Sequence, residues 1–149
     1  LEIPVYEARP KFDAYLKLLI GGTLGFTLVL GLVYLPSDIE TALWLLGITA
    51  FDTVLFRAVF PQSFRLYPDR LVILLGGPLT VNIPLSNIKE IKPAPGHTVR
   101  IYWGLRFATS SATVVEIIRR RGMNIVISPE DRGAFIAAVE KARRNLPAA

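Results

Sequence analysis

The run GITAFDTVLFRA, Gly47–Ala58, decides what kind of fold this chain has, because it sets a carboxylate, Asp52, among residues that otherwise read as lipid-facing. Either Asp52 is a polar group inside a membrane helix, or the run is not a membrane segment. The flanking sequence favours the first. The run extends to Thr41–Phe60, TALWLLGITAFDTVLFRAVF, whose only charges are Asp52 and Arg57. Upstream, Leu18–Ser37, LLIGGTLGFTLVLGLVYLPS, carries no charge. A helix of about twenty residues rises about 30 Å, the thickness of a bilayer's hydrocarbon core. A signal peptide would have a shorter apolar stretch and a small-residue cleavage site, whereas YLPSDIE follows here. Two spans, about 15–35 and 41–60, are therefore expected, joined by the short PSDIE turn as an antiparallel hairpin.

The basic residues set the orientation. Arg9, Lys11 and Lys17 precede the first span, and Arg57, Arg65 and Arg70 close or follow the second, while the turn holds Asp38 and Glu40 with no Lys or Arg. The positive-inside rule then places both termini in the cytoplasm of a multi-pass inner-membrane protein. Tyr15 and Trp44 suit opposite interfaces. In such a hairpin Asp52 lies level with about position 24, close to Thr23 and Thr27. A charged aspartate at the bilayer centre costs about 2.5–3.5 kcal/mol on insertion scales, so the carboxyl should face protein. The plain reading is a neutral carboxyl hydrogen-bonded within the hairpin, to Thr23. The functional reading is contact with another membrane protein, favoured over proton transfer because no second ionisable group sits at that depth. Gly21 and Gly25 form a G-x-x-x-G face that admits close helix approach. Its occupant is either Gly47 and Ala50 of the second span or a separate partner.

Composition agrees. The chain has 149 residues, 52% of them hydrophobic, and that excess is concentrated in the first 60 or so. Without cysteine, disulfides, thiolate catalysis and thiolate metal sites are excluded. The chain opens on Leu1, not methionine, and residues ahead of it are expected.

From Ser63 the periodicity becomes that of strands. SFRLY and RLVILL flank a PD turn; GGPL turns again into TVNIPL and NIKEI; TVVEIIRR and NIVIS flank RGM. In TVRIYWGLRF, Val99, Ile101, Trp103, Leu105 and Phe107 alternate with more polar positions and are expected on the core face. That makes about seven strands. A C-terminal helix follows, with Ser128 as candidate N-cap, Pro129 at its first position, Asp131 as capping-box acid, an apolar stripe of Phe135, Ile136, Val139 and Ala142, and Pro147 as its stop. The organisation expected is a hairpin over 1–62 and an α+β domain over 63–149.

Two stretches, FRLYPDRLVILLGGPLTVNIPLSNIKEI and VVEIIRRRGMNIVISPEDRGAFIAAVEKA, resemble the bacterial pleckstrin-homology-like (PH-like) membrane proteins, over roughly Ser63–Leu146. The resemblance implies an antiparallel β-barrel capped by the C-terminal helix. It names no single activity, although similar two-helix proteins include assembly factors for photosynthetic complexes. Where such proteins often carry a charged, small-residue stretch, this chain has ATSSAT.

Little points to catalysis. His97 is the only histidine and sits in a turn; Ser110 and Ser111 have no other base to call on; GGPLT lacks the Gly-Lys-Ser/Thr ending of a phosphate loop. No catalytic, metal or cofactor residue is assigned. From Arg57 onward there are 14 basic and six acidic residues, a net of +8, which suits an anionic leaflet. Arg119, Arg120 and Arg121 are the densest patch and the candidate lipid contact. Nucleic acid is not expected as a partner, because Trp103 and Phe107 belong to the core face. The function expected is a non-enzymatic accessory or assembly subunit of a larger membrane protein complex, with anionic-lipid or ligand sensing as the alternative.

Overall fold

A computed structural model describes residues 2–99 and 102–146. The chain divides into two compact units, Ala14–Val59 and Leu1–Asp13 with Phe60–Ala149. The sequence boundary at 62/63 therefore misplaces the N-terminal segment, which belongs with the β-structure that follows the helices.

The helical unit contains α1 (Ala14–Tyr34) and α2 (Ile39–Val59), each 21 residues and each long and apolar enough to cross a bilayer. Asp38 starts α2. Its carboxylate accepts hydrogen bonds from the Thr41 amide at 3.1 Å and the Thr41 hydroxyl at 2.6 Å, satisfying a donor of the helix's first turn. The helices meet where side chains are smallest, with Gly31 and Ala42 buried between them. One turn along, the Thr49 hydroxyl donates to that of Thr27 at 2.9 Å. That pair fixes the register and sets position 52 level with position 24, as the turn length implies.

The other unit contains two four-stranded sheets, ordered β1-β2-β3-β4 and β5-β7-β8-β6. The strands are β1 (Tyr6–Ala8), β2 (Pro61–Leu66), β3 (Arg70–Leu75), β4 (Thr80–Pro84), β5 (Ile88–Pro93), β6 (Leu105–Phe107), β7 (Val115–Arg119) and β8 (Ile125–Ile127). All pairings are antiparallel except β6 with β8. Alternate residues of both sheets fill one core, with Phe64 and Leu66 of β2, Leu71 and Ile73 of β3, and Ile117 of β7 fully buried. β8 lies between β7 and β6, and all three of its residues are buried. The amphipathic helix α3 (Arg132–Arg144) closes the core with Phe135 and Val139. The Phe135 ring meets those of Phe64 and Tyr6 at 6.1 and 6.3 Å.

Three expectations need correction. The sheets do not close into a barrel. β4 passes to β5 through a 3-10 turn at Leu85–Asn87 with no ladder between them, and the N-terminal segment links the sheets by a single bridge, Pro10 to Pro129. Its two hydrogen bonds come from the flanking residues, the Lys11 amide to the Ser128 carbonyl and the Glu130 amide to the Arg9 carbonyl, each at 2.8 Å. Second, α3 is capped by Asp131, whose carboxylate accepts from the Ala134 amide at 2.9 Å, and not by Ser128, which is buried elsewhere. Pro147, the expected stop, lies outside the described residues; the helix ends at Arg144 with Asn145 as its cap.

The third concerns TVRIYWGLRF. Its strand is confined to β6, Gly96–Val99 forms a 3-10 turn, and Trp103 is 98% exposed. Arg100 and Ile101 lie outside the described residues. Gly104 breaks the alternation: a Cβ there would lie 2.5 Å from the Asn124 carbonyl oxygen and 2.6 Å from the Tyr102 ring. Tyr102 folds into this gap and donates to Glu116 at 2.9 Å, leaving Trp103 outside. Burial, and then the bond to Glu116, raise the Tyr102 phenol well above its ordinary pKa. Trp103→Ser should therefore leave the denaturation midpoint almost unchanged, within about 0.5 kcal/mol, where a core tryptophan would cost about 3–5 kcal/mol on truncation.

Candidate functional site

Four places hold the chemistry of this chain: the helical hairpin, a serine-rich loop, the arginine triplet and the tip of one β-hairpin. In the helical unit, the α2 residues turned toward α1 recur as Ala42, Leu45, Thr49, Asp52 and Phe56, all buried or half-buried. Asp52 thus lies on the side of α2 that meets α1. The expected hydrogen bond does not form. Thr23 is exposed, and its hydroxyl donates to its own helix, at the Leu19 carbonyl, 2.8 Å away. Among the described residues Asp52 has neither a hydrogen-bond nor an ion-pair partner. The polar pair across the hairpin is Thr27 with Thr49 instead.

The glycines divide in the same way. A Cβ on Gly31 would lie 2.9 Å from Leu46 Cδ2 and 3.4 Å from Leu45 Cβ, so Gly31 is where the helices touch. Around Gly21, Gly22, Gly25 and Gly47 such a Cβ would meet nothing within 4 Å. The G-x-x-x-G face is not used by the hairpin itself, and the expected packing against Gly47 is absent.

The serine-rich loop holds what sequence reasoning missed. Asp13, the residue before α1, accepts from the Ser110 hydroxyl at 2.6 Å and from the Ser111 amide and hydroxyl at 2.8 and 3.0 Å. The Ser128 hydroxyl accepts from the amides of Thr109 and Ser110 at 2.8 and 3.1 Å, and Thr109 donates its hydroxyl to the Lys11 carbonyl at 2.6 Å. Backbone bonds from Lys11 to Ser128 and from Asp13 to Thr109 complete the clasp. Thr109, Ser110 and Ser128 are buried. The Ser110 hydroxyl, and then the Ser111 amide, hold the Asp13 carboxyl below its usual value of 3.8. Gly96 makes room, since a Cβ there would stand 2.7 Å from the Ser111 carbonyl oxygen. His97 is exposed and bonds neither serine, so the loop has the bonding of a structural fastening. Its only advance signal was the composition of ATSSAT.

The arginine triplet ends β7 and begins its turn. Asn87 grips that turn, accepting from the Arg121 amide at 2.9 Å and donating to the Arg121 carbonyl at 3.0 Å. Arg119 is spent locally, its Nε donating to the Met123 carbonyl at 2.5 Å. Arg120 and Arg121 are exposed, and Arg120 shares a cavity of about 390 Å³ with Ser86, Arg143, Arg144 and the carboxylate of Glu140, Arg143 also donating to the Lys89 carbonyl at 3.0 Å. In β7 the triplet lies at the Arg119 end, whereas Val115, at the other end, pairs with Ile127, next to Ser128 of the clasp.

Comparison with known families, curated proteins and solved structures returns no match. The functional reading rests on this geometry.

Proposed function

We propose that the chain is a non-enzymatic, membrane-anchored interaction protein with a PH-like domain, an accessory or assembly subunit of a larger complex in a bacterial inner membrane, with both termini cytoplasmic. The observation that carries this reading is Asp52. It is half-buried at the level of position 24, has no partner in the hairpin, and lies at the depth where Gly21 and Gly25 leave the α1 surface open. In a bilayer an unpartnered carboxyl and an open glycine face both favour protein over lipid as their neighbour. Thr23, exposed on the same turns, would add a hydroxyl to that contact.

The test is the native mass of the protein extracted from its own membranes in mild detergent, with co-purifying chains identified. Recovery in a defined larger assembly, lost on Gly25→Leu or Asp52→Asn while the protein stays inserted, is the expected result. Recovery alone or as a small homo-oligomer would sink this reading. The basic cavity around Arg120, Arg143 and Arg144 would then lead, as the contact of an anionic-lipid or ligand-sensing module. Charge reversal at Arg120 and Arg121 separates the two, since it should leave assembly intact under the first reading.

A further inference from the structure

We propose that the β3–β4 tip, Gly76–Leu79, is a second membrane contact, seated in the headgroup and upper acyl region of the bilayer that α1 and α2 cross. The inference rests on the membrane reading of those helices. Its starting point is a short chain of contacts within the β-unit. Phe60 immediately follows α2, and its carbonyl accepts the Gly76 amide at 3.3 Å. Pro61, the next residue, pairs with Leu75 at the base of the tip. Phe12, just ahead of Asp13 and α1, stacks edge-on against Phe60 at 5.9 Å. The tip is thus fastened beside the residues at which the chain leaves one helix and enters the other. That neighbourhood holds whatever the angle between the two units.

The chemistry of the tip suits that place. From Leu71 to Pro84 the chain has no charged residue, and the turn itself is Gly-Gly-Pro-Leu. Turns that face water commonly carry Asn, Asp or Ser, whose side chains bond the local backbone. Here Gly77, at φ +119, supplies the left-handed turn without them. The Leu75 amide bonds the Leu79 carbonyl at 3.1 Å, closing the turn, and the Leu79 side chain stands out from it, 53% exposed. The peptide groups of Gly77 and Pro78 need polar partners, which headgroups and interfacial water provide and the acyl core does not. The tip therefore belongs at the boundary, with Leu79 reaching inward. Such a contact would fix the β-unit's height and rotation against the bilayer, as a tether through the chain alone would not.

The absence of cysteine makes the test direct. Single-cysteine variants Leu79→Cys, Val54→Cys and Asp69→Cys of the full chain carry an environment-sensitive fluorophore in phosphatidylcholine nanodiscs. Val54 is 68% exposed within α2 and reports on the span, while Asp69 reports on the opposite end of β3. The expected result is that a shallow lipid-borne quencher removes most of the emission at 79 and iodide little, with the reverse at 69. Position 54 should answer only to a lipid-borne quencher. If 54 does so while 79 behaves as 69 does, the tip is in water and the inference falls with the span intact. Shielding of 79 from both quenchers would mean that protein covers it, which also overturns the inference. Quenching of 54 by iodide alone would remove the membrane reading itself.

Discussion

Replacing Asp13 by alanine should destabilise the β-unit by about 2–3 kcal/mol, the scale of hydrogen bonds to a charged group. Three donors lose their acceptor at once: the Ser110 hydroxyl, the Ser111 amide and the Ser111 hydroxyl. They are not equal. Ser110 is fully buried, so its hydroxyl proton finds no water in place of the carboxylate. Ser111 is exposed, and water takes over there at little cost. For this reason the estimate stays below the sum of three charge-assisted bonds. Asp13→Asn keeps an acceptor for Ser110 and should cost about 1 kcal/mol. Urea titration of the full chain in detergent, followed by amide exchange at Thr109–Ala112, measures both. An unchanged midpoint in Asp13→Ala would mean that the Asp13 carboxylate adds nothing to stability. The pH dependence has a definite sign. The native state holds the Asp13 carboxyl below its ordinary value of 3.8, so the unfolded chain takes up the proton first as the pH falls. The part of the clasp's contribution that depends on the Asp13 charge is complete at neutral pH, fades as the pH drops through the region of 3.8 toward the lower native pKa, and is absent below it. Asp13→Ala should therefore lose the acid-limb slope that the parent protein shows in that window.

The clasp also shows which parts of this fold sequence reasoning could reach. The helices were legible because a charge-free run of about twenty residues has few other uses. Their register was legible too, since a short turn leaves little choice, and Thr27 against Thr49 agrees with it. Strands β3, β4, β5 and β7 and the apolar stripe of α3 follow from local period. β1 was not legible, because YEA has no alternation and its partner, β2, is separated from it by the whole hairpin. The Asp13 clasp joins residues 97 and 98 positions apart, and nothing in either segment names the other. Ser128 satisfied a local rule for helix capping, yet a buried site with two amides to satisfy claimed its hydroxyl first. Trp103 failed for the opposite reason. Its alternation was regular, but Gly104 removed the side chain that would have held the strand's phase, and Tyr102 took the space.

The same competition between local pattern and spatial partner governs the glycines of α1, where Gly31→Leu should open the hairpin while Gly25→Leu leaves it closed. At Gly31 even a methyl group would press on Leu46 at 2.9 Å, and the remaining atoms of leucine have nowhere to go between α1 and α2. Overpacking of this kind costs about 1–3 kcal/mol. In the parent chain the Thr27–Thr49 bond, adjacent to the contact, would be lost with it, at about 0.6–1.7 kcal/mol for a hydrogen bond between membrane helices; the cysteine readout reports the overpacking alone. Thr27→Cys with Thr49→Cys provides the readout, because the two hydroxyls already lie 2.9 Å apart and the parent chain has no other thiol. Disulfide formation should be efficient in that background and should fall about tenfold or more with Gly31→Leu, since about 1.4 kcal/mol corresponds to one decade. With Gly25→Leu it should be unchanged, because a Cβ there meets open space. Loss of crosslinking in both variants would show that the G-x-x-x-G face belongs to the hairpin after all. The open glycine face would then no longer distinguish a partner's helix from α2, and the proposal of an accessory subunit would rest on Asp52 alone.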